Sequence, residues 1–219
     1  STAGIGRKPN AYGLEANSAF FIGVQVGNDN LSITMINMKK EIVATKDEIP
    51  YLLENNEKSL QIICIQIKEF IAKQNIKKEK ILGIGINLSG RINYRTGYSY
   101  SYFNFYEDPL SKYFEQELGI NTVLENDTKA LSYAEFNSGI IKNEKDVLFI
   151  NIDTGIGLGI LINNNIYYGK SGFSGEFGHI PIFENEILCR CGKIGCLETE
   201  ASGHALRRIV IDRLKNGGT

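Results

Sequence analysis

The sequence lacks three features that would assign it to a specialised class. No apolar run approaches the length of a membrane-spanning helix, so we expect no membrane partner. Neither charge sign is in excess, because 24 Lys and Arg stand against 25 Asp and Glu. A net charge of −1 makes this chain alone a poor candidate for nucleic-acid binding. The first residues, STAGIGRKPN, have no apolar stretch behind them that would make a secretory signal.

Cysteine is also scarce, and its distribution argues against a secreted disulfide framework. Only four cysteines occur in 219 residues, and three of them crowd into CRCGKIGC (189–196). The fourth, Cys64, lies on the apolar face of an amphipathic segment, where a lone cysteine is usually part of the core. We therefore expect a cytoplasmic protein in a reducing compartment.

The order of apolar segments predicts an α/β fold. Three segments at 19–27, 31–38 and 41–49 have the pattern of a β-meander, and 56–75 has apolar residues at helical spacing. The remaining elements are expected as strands at 81–90 and 120–127, helices at 108–119, 128–139 and 200–219, and a β-hairpin within 146–168.

A β-meander that feeds βα units is the pattern of a ribonuclease H-like, actin-like ATPase lobe. The strand-turn-strand pattern occurs twice, at 20–38 and again at 147–168, which suits two related lobes. The sequence therefore predicts two lobes of one fold rather than two unrelated domains.

The clustered cysteines and a nearby histidine have the composition of a metal site. Cys189, Cys191 and Cys196 follow His179 by ten to seventeen residues, with two glycines inside the loop. Three thiolates and one imidazole make a tetrahedral set that suits structural zinc, and the glycines allow a sharp turn around it. A Cys189–Cys196 disulfide and free thiols are the alternatives, and a reducing compartment favours zinc.

Four further polar residues have the chemistry of a site for a polyhydroxylated ligand. Asn126 and Asp127 stand at the end of a predicted strand, where ligand sites of α/β sheets gather. Glu176 precedes His179 by three residues, and Glu198 closes the cysteine loop. Carboxylates accept from hydroxyls, and an amide both donates and accepts. Each residue alone is more often a cap or solvated, but together they indicate a site.

One long stretch resembles a known family. GKSGFSGEFGHIPIFENEILCRCGKIGCLETEAS (169–202) is similar to the signature of the ROK family, which comprises bacterial sugar kinases and sugar-responsive repressors. LENDTKALSYAE (124–135) and INIDTGIGLGILINNNIYYGKSG (150–172) resemble further blocks of that family. The resemblance covers residues 20–219, whereas the family domain is longer.

The resemblance implies a division of this chain. We expect an N-terminal actin-like lobe at 18–137 and a partial C-terminal lobe with the zinc loop at 138–219. GIGRKP (4–9) resembles the wing that precedes the sugar domain in family repressors, so 1–17 would be a linker from a winged helix-turn-helix domain that is absent here. An expression-vector remnant followed by an arm is the alternative.

The resemblance also implies roles for single residues. The zinc ligands would be His179, Cys189, Cys191 and Cys196. The residues that contact the sugar would be Asn126, Asp127, Glu176, His179 and Glu198. In family kinases the residue that matches Asp127 is the general base that takes a proton from the sugar hydroxyl. The Tyr-rich stretch 88–104 would set the identity of the sugar.

The phosphate-binding turns separate two functions within the family. Family kinases have an Asp-x-Gly-Gly-Thr turn, and this chain has QVGNDN (25–30), which keeps only Gly27. Gln25 replaces the metal-binding Asp, and Asp29 brings a negative charge where phosphate would bind. The second turn, DTGIGLG (153–159), keeps its glycines, including Gly155 and Gly157. We therefore expect no Mg-ATP and no kinase activity.

The favoured function is the effector-binding domain of a ROK transcriptional regulator, a repressor of carbohydrate-utilisation genes. Its expected partners are a sugar or sugar phosphate, a second copy in a dimer or tetramer, and operator DNA through the absent domain. The alternative is an ATP-dependent kinase that phosphorylates a hexose. A third possibility is a structural zinc protein whose sugar pocket is inactive.

Overall fold

The structure is a computed structural model that describes residues 12–139, 141 and 143–217. The proposed wing at 4–9 and most of the proposed linker lie outside these residues. The β-strands are β1 (Phe20–Val26), β2 (Asn30–Asn37), β3 (Ile42–Pro50), β4 (Ile81–Leu88), β5 (Ile92–Asn93), β6 (Tyr98–Ser99), β7 (Thr122–Asn126), β8 (Val147–Ile152), β9 (Ile156–Ile162) and β10 (Asn165–Ile166). The α-helices are α1 (Glu57–Ala72), α2 (Leu110–Leu118), α3 (Asp127–Ser138), α4 (Glu198–Ala201) and α5 (Gly203–Lys215).

A five-stranded mixed sheet organises the first part of the chain, in the order β3-β2-β1-β4-β7. The first three strands form the expected antiparallel meander, and β4 and β7 continue it in parallel with β1. Each parallel connection runs through a helix, α1 before β4 and α2 before β7. The sheet therefore has the mixed topology that the meander and βα units predict.

The core lies between this sheet and helices α1 and α2. Side chains alternate along β1, so that Ile22 and Val24 are buried while Phe21 is 40% exposed. From α1, Leu60, Ile63 and Ile67 are fully buried in the same cluster. This packing fixes the carboxyl ends of β4 and β7, where the candidate site begins.

A second, smaller sheet carries the other wall of the site. Its order is β10-β9-β8, and both pairs are antiparallel. Helix α3 packs directly on β9, because Gly157 lies against Thr128 and Gly159 lies against Ser132, where a Cβ would clash. On the outer face of β8, Leu148, Ile150 and Ile152 are exposed among the described residues.

Two local features differ from the sequence-based expectations. The short hairpin β5–β6 was not predicted, because two-residue strands are too short to show a periodicity. The expected helix 200–219 is two helices, α4 and α5. They separate at Ser202, whose side chain accepts a hydrogen bond from the backbone N–H of Ala205 at 3.1 Å and so caps α5. None of the described helices is long and apolar enough to span a membrane.

Candidate functional site

A cavity of about 680 Å³ lies between the end of β7, the second sheet and the cysteine loop. The five residues expected to contact a sugar all line it: Asn126, Asp127, Glu176, His179 and Glu198. Cys191 also lines the cavity, so the expected metal cluster forms part of its wall. The structure therefore brings these predicted residues together around one cavity, although they lie up to 72 positions apart in the chain.

Asn126 and Asp127 are fixed at the start of helix α3. Asn126 is the N-cap residue, and its Oδ1 accepts a hydrogen bond from the backbone N–H of Lys129 at 3.1 Å. Its Nδ2 donates to the carbonyl of Gly90 at 2.9 Å. Asp127 accepts from the backbone N–H of Thr128 at 2.6 Å and from the Ser89 hydroxyl at 2.5 Å. Both side chains are therefore held in place before a ligand arrives.

Glu198 connects the cysteine loop to the second phosphate turn. Its Oε2 accepts from the backbone N–H of Ile156 at 2.9 Å, and its Oε1 lies 3.3 Å from Arg190 Nε. Gly155 leaves room for this pair, because a Cβ there would come within 2.6 Å of Glu198 Oε2 and 3.0 Å of Arg190. A carboxylate of the protein thus occupies a turn whose amides bind phosphate in kinases.

The first turn that the resemblance assigns to phosphate uses one of its backbone amides within the chain. The N–H of Gly27 donates to the carbonyl of Asn30 at 2.9 Å, which closes a tight hairpin between β1 and β2. Asn28 lines the main cavity, whereas its neighbour Asp29 is not among the lining residues. Gln25 does not line the main cavity, and together with Asn87 it lines a separate one.

His179, Cys189, Cys191 and Cys196 form the one metal-ligand group found among the described residues. Their candidate ligand atoms all lie within 4.8 Å of one another. His179 Nδ1 is 3.5 Å from Cys189 Sγ, and the Sγ atoms of Cys191 and Cys196 are 3.6 Å apart. These separations are close to the edges of a tetrahedron with zinc bond lengths of about 2.0 to 2.3 Å. The four atoms therefore fit a zinc ion.

The two nitrogens of His179 face different parts of the site. Nδ1 points to the cysteines, and Nε2 lies 4.0 Å from Glu176 Oε2 across the cavity wall. The cysteines are free thiols, including the pair Cys189 and Cys196 for which a disulfide was the alternative. Burial raises the pKa of the Cys196 thiol to about 12, and the positive charge of a bound metal ion would lower it.

Lys129 is a residue that the sequence did not single out. It lines the cavity from the first turn of α3, although it is only 4% exposed. Burial lowers the pKa of its ammonium group, and Glu125, Glu176 and Asp127 oppose this effect. A lysine inside an apparently amphipathic helix is usually solvated, so no sequence signal marked it.

Comparison with known proteins places these residues in a family. The ROK family model matches residues 21–217. The xylose repressor of Bacillus spizizenii is 32% identical over 92% of this chain and 52% of its own length. The glucokinase of Halalkalibacterium halodurans is 32% identical over 88% of this chain and 59% of its own length. The chain therefore spans little more than half the length of these relatives.

Solved structures show the same fold. A ROK family transcriptional regulator, homologous to the E. coli MLC protein, superposes with a TM-score of 0.75 at 26% identity, over 92% of this chain and 51% of its own. A Streptomyces griseus glucokinase in complex with glucose and AMPPNP gives 0.75 at 27% identity, over 90% and 62%. With a family match over nearly the whole described chain, this protein belongs to the ROK family.

Proposed function

We propose that this chain is the effector-binding part of a ROK transcriptional regulator, with a sugar or sugar phosphate as the effector. The observation that carries the proposal is the position of Glu198. Its carboxylate accepts the Ile156 N–H, so this amide is not available to a nucleotide phosphate. The Gly27 N–H is likewise bonded to Asn30. Phosphoryl transfer depends on such positioned donors, so the site supports binding rather than transfer.

The cavity has the chemistry of a sugar site. Asp127, Glu176 and Glu198 offer carboxylate oxygens that accept from hydroxyls, and Asn126 offers an amide. Arg190 is already paired with Glu198, and Lys193 donates to the His179 carbonyl at 2.7 Å. Because the carboxylates accept from hydroxyls and the cations are already partly neutralised, the cavity suits a neutral polyol. Similarity to xylose repressors supports the same class of ligand.

We propose zinc for the Cys3His cluster. When bound, zinc would lock the loop 189–196 and supply a positive charge behind the His179 ring. His179 Nδ1 would face the metal, which leaves Nε2 to donate to a sugar oxygen beside Glu176. Two positive-φ glycines, Gly192 and Gly195, allow the loop to turn around the cluster.

Regulation would arise if the sugar bound with higher affinity to one relative position of the two cavity walls than to another. Such a difference in affinity is the only way in which a sugar changes an equilibrium between two forms. We propose that this change reaches operator DNA through a winged-helix domain outside this chain, in a dimer or tetramer. Repressors among the relatives support this reading.

A sugar kinase is the second candidate, and one observation favours it. Asp127 lines the cavity beside Asn126, where its carboxylate would serve as the general base, and glucokinases are among the relatives. As a kinase the protein would need an altered nucleotide site, because QVGNDN has lost the Asp and Thr of the family turn. Sugar-dependent ADP release that requires Asp127 would distinguish this function.

The test is calorimetric titration of the protein, as the cell produces it, with hexoses, pentoses and N-acetylhexosamines and with their phosphates. Each titration is repeated with Mg-ATP, and ADP release is measured in parallel. We expect one sugar class to bind, without ADP release and without a further effect of Mg-ATP. Sugar-dependent ADP release would replace the sensor by the kinase, and zinc without any saccharide binding would leave a structural protein.

A further inference from the structure

A chain of side-chain contacts outside the sugar set joins the two walls of the cavity. It runs from Glu125 at the end of β7, through Tyr168 after β10, to Tyr94 in the β5–β6 hairpin. None of these three residues lines the main cavity. Glu125 is nevertheless adjacent in the chain to a residue that lines the cavity, and Tyr168 and Tyr94 lie in short segments close to other lining residues.

Glu125 stands directly before Asn126 and Asp127, and two donors fix its carboxylate. Oε2 accepts the Tyr168 hydroxyl at 2.6 Å, and Oε1 accepts the backbone N–H of Asn126 at 2.8 Å. Burial raises the pKa of Glu125, while the Tyr168 hydrogen bond opposes this effect. The position of the Asn126 backbone is therefore tied to a tyrosine from the opposite wall.

Tyr168 is held on its other side by an aromatic stack. Its ring lies on Tyr94 with a centroid distance of 3.8 Å and an angle of 23°. The Arg95 guanidinium lies 5.5 Å from the Tyr94 ring centroid, and Arg95 Nε donates to the Tyr94 hydroxyl at 2.8 Å. Stacked pairs of this kind stabilise a contact beyond the area they bury.

The segment that begins at Tyr168 carries the second wall. Ser174 N donates to the Tyr168 carbonyl at 3.2 Å, so the loop is closed on itself before it reaches Glu176. Phe173 in this loop meets Tyr100 edge-on at 5.4 Å, and Arg91 lies 5.9 Å from the Phe173 ring centroid. A shift of Tyr168 would thus move the cavity-lining residues Phe173, Ser174 and Glu176 together.

We propose that Tyr168 is a positioning residue of the sugar site, which sets the separation of the Asn126–Asp127 wall from the Glu176–His179 wall by binding Glu125 and Tyr94 at once. This inference rests on the proposed sugar-binding function. It assigns Tyr168 a role in ligand affinity without contact to the ligand. A tyrosine that merely filled space would tolerate loss of its hydroxyl.

The experiment compares Tyr168→Phe with Tyr167→Phe in the protein as the cell produces it. Tyr167 is the adjacent residue, half exposed, and its hydroxyl makes none of the hydrogen bonds found among the described residues. Sugar affinity is measured by calorimetry between pH 4.5 and 8, and the melting temperature is measured without ligand. Tyr168→Leu, which also removes the stack, serves as the stronger variant.

We expect Tyr168→Phe to weaken sugar affinity about three- to tenfold, with Tyr167→Phe within about twofold of the unmodified protein. The Tyr168 hydrogen bond lowers the pKa of Glu125, so its loss should raise that pKa. The fall of sugar affinity at low pH, which is the acid limb of the profile, should then begin at a higher pH. Among the described residues, the charged group that acts on Glu125 is Lys129, whose attraction is unchanged in this variant. A purely structural role would lower the melting temperature without moving this limb.

The outcomes separate the two proposals. Equal sugar affinity of the unmodified protein and Tyr168→Phe, with an unmoved acid limb, overturns the positioning role and leaves the sugar site intact. Weaker binding by Tyr168→Leu but not by Tyr168→Phe assigns the effect to the stack alone, and it also overturns the role of the hydroxyl. If the unmodified protein binds no sugar, both proposals are overturned.

Discussion

The carboxylate of Glu198 accepts a hydrogen bond from the backbone N–H of Ile156 at 2.9 Å, across 42 residues of chain. This contact joins the cysteine loop to the glycine-rich turn after β8. A Cβ at position 155 would clash with this carboxylate, so the contact requires a glycine there. Gly155 therefore has a structural role at the cavity that does not depend on binding phosphate.

Gly155→Ala should weaken sugar binding at little cost to the fold. The new Cβ would lie 2.6 Å from Glu198 Oε2, so the flexible carboxylate moves away while the backbone remains. We expect sugar affinity to fall at least about tenfold, since a charge-assisted hydrogen bond contributes about 1.5 to 3 kcal/mol. Gly23→Ala is the matched control, because a Cβ there meets nothing within 4 Å. Unchanged affinity would remove Glu198 from the site.

Asp127→Asn should weaken sugar binding about ten- to a hundredfold, because an amide replaces a carboxylate that accepts from a hydroxyl. The variant also loses half of its capacity to accept from Ser89 and the Thr128 N–H. Calorimetry measures the affinity, and Asp108→Asn, an exposed residue paired with Lys112, is the control. A large loss of ADP release with unchanged sugar affinity would instead identify Asp127 as the base of a kinase.

Much of the sheet could be predicted from the sequence, because its strands are long and buried residues alternate with more exposed ones along them. The segments at 19–27, 31–38 and 41–49 correspond to β1, β2 and β3, with each end shifted by one residue. The residues expected to contact a sugar also line one cavity. Asn126 and Asp127 reach it from the end of the parallel strand β7, whereas Glu176, His179 and Glu198 reach it from segments after β10. The predictable features were the strands, which have a periodic pattern of apolar residues, and the polar residues that directly follow a strand.

The contacts that shape the site were not predictable in the same way. Asn28 and Asp29 are neighbours, and only the hairpin geometry decides that Asn28 lines the cavity. Gly157 looks like a phosphate-binding glycine, yet its structural reason is the close approach of Thr128 from α3. Tyr168 and Glu125 lie 43 residues apart, and no local pattern relates them. Such pairings depend on tertiary packing rather than on residue type.

Helix α1 offers a matched test of the core. Ile63 is fully buried against the sheet, whereas Ile65, two residues further along, is 49% exposed on the opposite face. Ile63→Ala should lower the free energy of unfolding by about 2 to 5 kcal/mol, and Ile65→Ala by less than about 1 kcal/mol. Urea unfolding measures both. Equal losses would mean that α1 is buried on both faces in the protein.

The cysteine cluster makes a prediction about both metal and ligand. The protein should hold one zinc per chain by elemental analysis, and Cys191→Ser should lose it, because three ligands remain. Cys64→Ala, which removes the cysteine that lies in the core, should keep the metal. Since His179 borders both the cluster and the cavity, loss of zinc should also weaken sugar binding.

The stabilisation expected from zinc depends on how much the loop 189–196 is stabilised by other contacts. Residues 190–194 are exposed, so burial contributes little to the middle of the loop 189–196, although Cys189 and Cys196 at its ends are buried. If zinc contributes at least about 2 kcal/mol, Cys191→Ser should lower the melting temperature by about 4 to 8 °C. A chelator should reproduce this shift in the unmodified protein and leave Cys191→Ser unchanged. Equal melting of both proteins with and without chelator would mean that the loop folds without metal.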